Sequence, residues 1–424
     1  MEFRNLTPFG AQRFGALAPD GQEHSVVVLK VGYRLRPDPD QPGVCQVIVL
    51  DKEPIPLTMA DTYYGAIGVS SVLEESDLAP FKPRCDVLVV GDAHAPGGHP
   101  ARSWEAALRV ISGRRPAGRR GASSKQDGQT VLHKQLRVTG AREFLNEPQG
   151  WRLSQPAPAN RVPLRWELAF GGNNQIRNPK HADDSSLPEF LLNEVCFSNP
   201  VGCGWLEDRY EALYQQTAAE PLTRLAAPQV EYPDAPIGGP TRASHPEQGG
   251  LDANRMAALA AAYGQTPAGF GVVGRAWAPR LALAGTYDDA WLADNWPNPP
   301  QDIDFGYWNG APADQQIPYP SPDAQIQLLN LVEPHFSHDG WFDIRLPGHR
   351  PFVLLRLTNG VLLPLPMLTD TVRVDTDAMV LSLTHRISLP ASLDIRVLEV
   401  RFEVNPDAVL LPPVARMRFQ QEVV

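Results

Sequence analysis

The sequence predicts a mainly β protein, with antiparallel sheets packed as sandwich-like layers, long structured loops and a few short helices. Three observations carry that expectation. Proline supplies 43 of the 424 residues, about twice its usual share, and each proline removes a backbone donor and is excluded from helix interiors. Both ends of the chain hold runs rich in β-branched residues, bounded by Gly, Pro and Asp turns. The best helical pattern is confined to a single stretch near the middle.

In chain order, "EHSVVVLKVGYRL" (Glu23–Leu35) and "VCQVIVLD" (Val44–Asp51) flank a Pro/Asp/Gly turn and read as a hairpin. "RCDVLVVGDAHA" (Arg84–Ala95) reads as a further strand, ended by "PGG". "SWEAALRVI" (Ser103–Ile111) and "TVLHKQLRVTG" (Thr130–Gly140) are strands on either side of a basic loop, Gly113–Gln126, with five positive charges. Such a loop can grip phosphate or an acidic surface; the plainer reading is a solvated hairpin tip. "VPLRWELAFGG" (Val162–Gly172) alternates and stops at two glycines. Residues 173–250 are looser, with a short helix expected near "LPEFLLNEV". "LDANRMAALAAAYG" (Leu251–Gly264) is the strongest helix, with Asp252 as its cap and Gly264 as its stop. Strands return over the last hundred residues, where "TNG" between "VLLRL" and "VLLPL" marks a tight hairpin. The expected division is a β-rich 1–172, a loop-rich and partly helical 173–265, and a β-rich 266–424.

Composition narrows the function. A net charge of −10 does not favour nucleic-acid binding, which needs a basic footprint. Four cysteines without a CxxC pair make neither a disulfide framework nor a structural zinc site. "MEFRNLTPFGAQRFG" has no apolar core of a secretion signal, and no apolar run approaches the ~18 residues of a spanning helix. A cytoplasmic protein without membrane insertion is expected.

Each candidate site has a plainer reading beside it. Gly269, Gly271 and Gly274 spell G-x-G-x-x-G, but a dinucleotide loop needs a strand before it and a helix after it, and Pro279 interrupts the stretch where that helix would run. His94, His99, His335 and His338, with Asp92 and Asp339, have no zinc spacing and read as turn residues. Cys196 and Cys203 bracket "FSNPVG" with no base nearby in sequence. Ser-nucleophile, zinc-protease and P-loop motifs are missing, so no catalytic residue, metal or cofactor is expected.

The stretch Leu281–Gly310 is the most distinctive, with five aspartates and three of the nine tryptophans. Asp288, Asp302 and Asp304 are a conceivable acid–base set for a carbohydrate-active or metal-dependent hydrolase. The favoured reading is a fastened loop. There aspartates accept backbone N–H groups and aromatic rings cover prolines where regular structure is absent. Trp277, Arg280, Tyr287, Asp288, Asp302 and Asp304 would be its structural residues, and Trp291, Trp296 and Trp308 its partner-binding residues.

"PAGFGVVGRAWAPRLALAGTYDDAWL" and "NPPQDIDFGYWNGAPADQQ" resemble the signature of a bacterial domain-of-unknown-function family associated with type VI secretion. "CDVLVVGDAHAPGG", "SNPVGCGW" and "LTDTVRVDTDAMVLSLTHR" are similar to its other motifs, in the same order, over roughly residues 1–405. One departure is His385, where an aromatic residue is expected before the terminal arginine. The resemblance implies a cytoplasmic adaptor or chaperone. Such a protein holds a secreted effector, a PAAR-repeat protein or a spike protein, and loads cargo on the spike. It implies no catalytic residues. A hydrolase using the aspartates at 288–304, or a structural part of the injection apparatus, are the alternatives.

Overall fold

The computed structural model describes residues 1–112, 128–243, 253–262, 264–408 and 410. The fold is mainly β, as expected. Its centre is a seven-stranded sheet of β1 (Gly10–Leu17), β2 (Glu23–Pro37), β3 (Cys45–Val49), β4 (Cys85–Val90), β5 (Gln316–Ile317), β6 (Leu368–Asp375) and β7 (Val380–Pro390). The order is β1-β2-β7-β6-β4-β5, with β3 also paired to β2. Only β6 and β4 run parallel; the other pairs are antiparallel.

Along β2 the residues Val27, Leu29, Val31, Tyr33 and Leu35 point to one core. A five-stranded sheet contributes Leu108, Leu136, Leu328 and Phe342 to that core, and a four-stranded sheet contributes Val353 and Leu398. This is sandwich packing, in which the inner faces of separate sheets share one apolar interior. The sheets mix the two ends of the chain. β2 and β4 hydrogen-bond with β5–β7, and Glu2–Asn5 pairs in parallel with Ile395–Glu403. The boundaries expected at residues 172 and 266 therefore do not separate independent sheets.

The other face of the central sheet is also covered, by polar contacts and by a small apolar cluster of Val72, Leu88, Val272 and Ala311. Covering residues come from 55–82 and from 272–311. Lys30 of β2, 1% exposed, donates to Thr58 Oγ1 (2.9 Å) and Asp77 Oδ2 (3.0 Å) and pairs with Glu74. Arg386 of β7 pairs with Asp370 of β6 at 2.6 Å and donates to the carbonyls of Asp77 and Ala79. Asp86 of β4 accepts from Lys82 Nζ (2.8 Å), Asn309 Nδ2 (3.0 Å), and the amides of Gly310 (2.8 Å) and Ala311 (3.1 Å). A buried charge is tolerated only when paired and hydrogen-bonded, so each covering segment is required by the residues under it. Gly32 marks the closeness of that cover: a side chain there would collide with Ile55.

Several sequence expectations need correction. The strand expected over Arg84–Ala95 breaks at Gly91, which has φ 127° and where a Cβ would collide with Thr376. Its second part, Asp92–His94, pairs in another sheet with Arg161–Pro163. The helix expected in "LPEFLLNEV" is the strand Phe190–Val195, paired with Asn173–Arg177; a partner ladder overrides weak helical propensity. "VPLRWELAFGG" is interrupted by a 3-10 turn, Trp166–Leu168. The hairpins expected at Glu23–Asp51 and around "TNG" form, the latter from Arg350–Leu357 and Leu362–Pro366 with Gly360 at φ 90°. Four helices are described: α1 (Tyr210–Ala218), α2 (Ala253–Ala262), α3 (Ala278–Leu281) and α4 (Asp289–Asp294). Gly264 follows α2 at φ 62°. The basic loop Gly113–Gln126 and Asp252 lie outside the described residues. No helix among the described residues is long and apolar enough to cross a membrane.

This packing leads to two expected outcomes. Asp86→Ala robs the Lys82 ammonium and two amides of their acceptor. Breaking a buried pair from one side costs about 3–5 kcal/mol, and urea unfolding should show a loss of that size. Arg177→Ala, which breaks an exposed pair with Glu189, should stay within about 0.5 kcal/mol. His385 is 3% exposed; its Nδ1 meets Thr369 Oγ1 at 3.1 Å and its Nε2 has no partner. Burial first, then His349, lowers its pKa from 6.5 to about 3. The stability tied to this neutral ring is present above pH 6.5 and is lost as the pH falls towards 3, because the unfolded chain binds the proton first. His385→Phe should therefore flatten the fall in stability between pH 6.5 and 5. Equal slopes in both proteins would contradict the assignment.

Candidate functional site

The distinctive stretch begins at α3. Trp277 precedes it, and its ring stands edge-on to Trp166 at 5.6 Å. Arg280 is 3% exposed. Its guanidinium donates to Val273 O (2.8 Å), to Tyr307 O (2.7 and 3.1 Å) and to Glu75 of the other covering segment. A planar fork of five donors suits such a junction, where an ammonium would reach fewer acceptors.

The three aspartates singled out in the loop all accept backbone amides. Asp288 caps α4 by accepting from Trp291 N at 2.8 Å. Asp302 takes the amide (2.9 Å) and hydroxyl (2.7 Å) of Thr286, and these bonds hold its pKa below the usual carboxylate value. Asp304 accepts from Gly306 N at 2.8 Å and opens the 3-10 turn Phe305–Trp308. A glycosidase needs one carboxyl pushed upward to act as an acid; Asp302 is shifted the other way. Trp291 is half-buried, donates from Nε1 to Asn298 O at 3.0 Å, and packs under Tyr287 at 4.7 Å. Trp308 is half-buried, with the Arg275 guanidinium 5.6 Å over its ring. Trp296 stands open, 66% exposed, with Leu292 at 60% and Tyr287 at 53%. Leu292 is a further exposed apolar residue of this loop that sequence reasoning missed.

A cavity of about 330 Å³ lies beside the loop, walled by Trp166, Tyr232, Pro267, Val273, Trp277 and Leu283, with Asp314 at its edge. The segments "PAGFGVVGRAWAPR" and "APADQQ" meet here. Next to it Lys134 Nζ donates to Asp314 Oδ1 and Gln315 Oε1, each at 2.8 Å. The Tyr232 hydroxyl donates to Asp314 Oδ2 at 2.9 Å. Burial, opposed by Asp314, lowers the Lys134 pKa to about 8. Sequence reasoning missed this group. Lys134 shares its strand phase with the buried Leu132 and Leu136, and a lysine on an inward phase signals a buried partner.

Other sequence candidates separate. Gly269 and Gly274 lie in a coil segment, and a Cβ there would meet the rings of Trp166 and Trp277. Among the described residues the helix α2, not a strand, precedes this loop, whereas a dinucleotide site requires a strand there. His94, His338 and Asp339 come together at a polar cavity of about 190 Å³. His94 is buried rather than solvated, whereas His99, His335 and His338 are exposed. Among the described residues no three His, Cys, Asp or Glu side chains are grouped as a metal site needs. Burial raises the thiols of Cys196 and Cys203 to about 11 and about 12, away from the thiolate a nucleophile requires. Between them Asn199 Nδ2 donates to the carbonyls of Trp166 (2.8 Å) and Phe170 (2.9 Å).

Asp288→Ala removes a helix cap and should cost about 1 kcal/mol in urea unfolding, with Asp288→Asn losing only a few tenths. An alanine variant as stable as the parent would show that the cap does not hold this loop.

No curated protein and no solved structure matches the chain significantly. A family described as "Uncharacterized protein conserved in bacteria (DUF2169)" matches residues 20–386, from the turn before β2 to the buried Arg386 of β7. With most of its length inside that match, the chain belongs to the bacterial DUF2169 family.

Proposed function

We propose that this protein is a cytoplasmic type VI secretion adaptor or chaperone, which holds a specific effector and helps load it onto the spike or PAAR tip. The observation that carries the reading is the exposure of three large apolar side chains, Tyr287, Leu292 and Trp296, on a loop held by its aspartates. Exposed apolar side chains can supply the apolar part of a binding surface, and a pre-ordered contact loses less entropy on association. The resemblance of the ordered motifs to a secretion-associated family supplies the class of partner. The net charge of −10 favours a partner with a basic face and faster encounter at low salt.

Co-expression with the effector or PAAR-bearing protein encoded nearby should raise that partner's soluble yield and give a complex that survives size exclusion. Trp296→Ala should weaken the complex by about 2 kcal/mol, the scale of a central tryptophan contact. Its urea midpoint should match the parent, because the ring is already in water. A folded protein that captures none of these partners, in a strain whose effectors are all delivered without it, would end this reading.

A further inference from the structure

The cavity beside the loop has features that the open face does not use. At about 330 Å³ it sits at the lower end of ligand-pocket sizes, ~300–1,000 Å³. It is too small for a folded element and roomy enough for one large side chain. Its walls are mostly aromatic and aliphatic. The charges next to it are already closed on each other: Lys134 and Tyr232 occupy both oxygens of Asp314, and Arg280 is consumed by Glu75 and two carbonyls. The Lys134 ammonium also lies 5.4 Å from the Tyr232 ring, so a second cation would meet repulsion there. A neutral occupant meets no such cost.

We propose that this cavity seats a neutral apolar side chain, of phenylalanine or leucine size, from the polypeptide that the protein holds. The inference rests on the adaptor reading and adds to it a specificity pocket separate from the Trp296 face. The mouth carries Thr266 and Ala313, both exposed, so either position accepts a large residue without disturbing the core.

The test has two arms on the full chain. In the first, N-acetyl-phenylalaninamide is titrated into the protein while the indole N–H resonances of Trp166 and Trp277 are followed. Saturable shifts of both are expected, with none from N-acetyl-glycinamide or N-acetyl-lysinamide. Thr266→Trp and Ala313→Trp should abolish the shifts while keeping the parent melting temperature. Absence of binding, or equal binding of the lysine amide, overturns the proposal. In the second arm, the two plugged variants are compared with the parent for capture of the co-expressed partner. Capture reduced about tenfold or more supports the proposal. Undiminished capture by both plugged variants overturns the pocket and leaves the adaptor reading standing. A parent that captures nothing fails the adaptor reading and the pocket's assigned occupant with it.

Discussion

A single buried carboxylate joins the parts of this protein. Asp86 is fully buried on the polar face of the central sheet. It accepts from Lys82 on one covering segment and from Asn309, Gly310 and Ala311 on the other. Lys82 is the complementary half: although burial disfavours its charge, Asp86, Asp370 and Glu75 together raise its pKa. An ionised carboxylate in such a place is costly unless all its lone pairs are used. The covering segments are therefore tied to the sheet by the cost of uncovering it.

The rest of the loop inherits its order from that tie. Asn309–Ala311 are fixed at Asp86, and Arg280 fixes Val273 and Tyr307 to Glu75. Between Arg280 and Tyr307, Asp288, Asp302 and Asp304 close the chain with local backbone bonds. The chain can then hold Trp296 and Leu292 in water without collapse onto the core. The same ties shape the cavity, because Val273, Leu283 and Ala311 line it from segments anchored at Glu75 and Asp86.

Much of the fold was legible because β periodicity is local. The runs at Glu23–Leu35 and Ser103–Ile111 are dominated by β-branched and apolar residues, and turn residues separate hairpin partners. The strand at Phe190–Val195 was not legible, because its partner at Asn173–Arg177 decides its state. The break at Gly91 was hidden for a similar reason: Thr376, far along the chain, forbids a side chain there. At the site, the aspartate-rich loop could be picked out by composition, but the charged residues beneath it were passed over. Lys30, Asp86 and Lys134 each sit on the phase of a strand that is buried. A charge on a buried phase is a readable sign of a remote partner, though not of which one. The shared core of the two chain ends was likewise invisible, since no local pattern says that β2 will pair with β7.

The signature segments, on this account, open only when the sheet does. Native-state hydrogen exchange at the amides of Gly310 and Ala311 tests it most directly. If Asp86 ties the cover to the core, these amides should exchange with the same free energy as the ladder amides between β2 and β7, the free energy of global unfolding. Exchange at Gly310 and Ala311 through a much lower free energy, with the β2–β7 ladder still protected, would contradict it: the cover would then be a separate, loosely held layer.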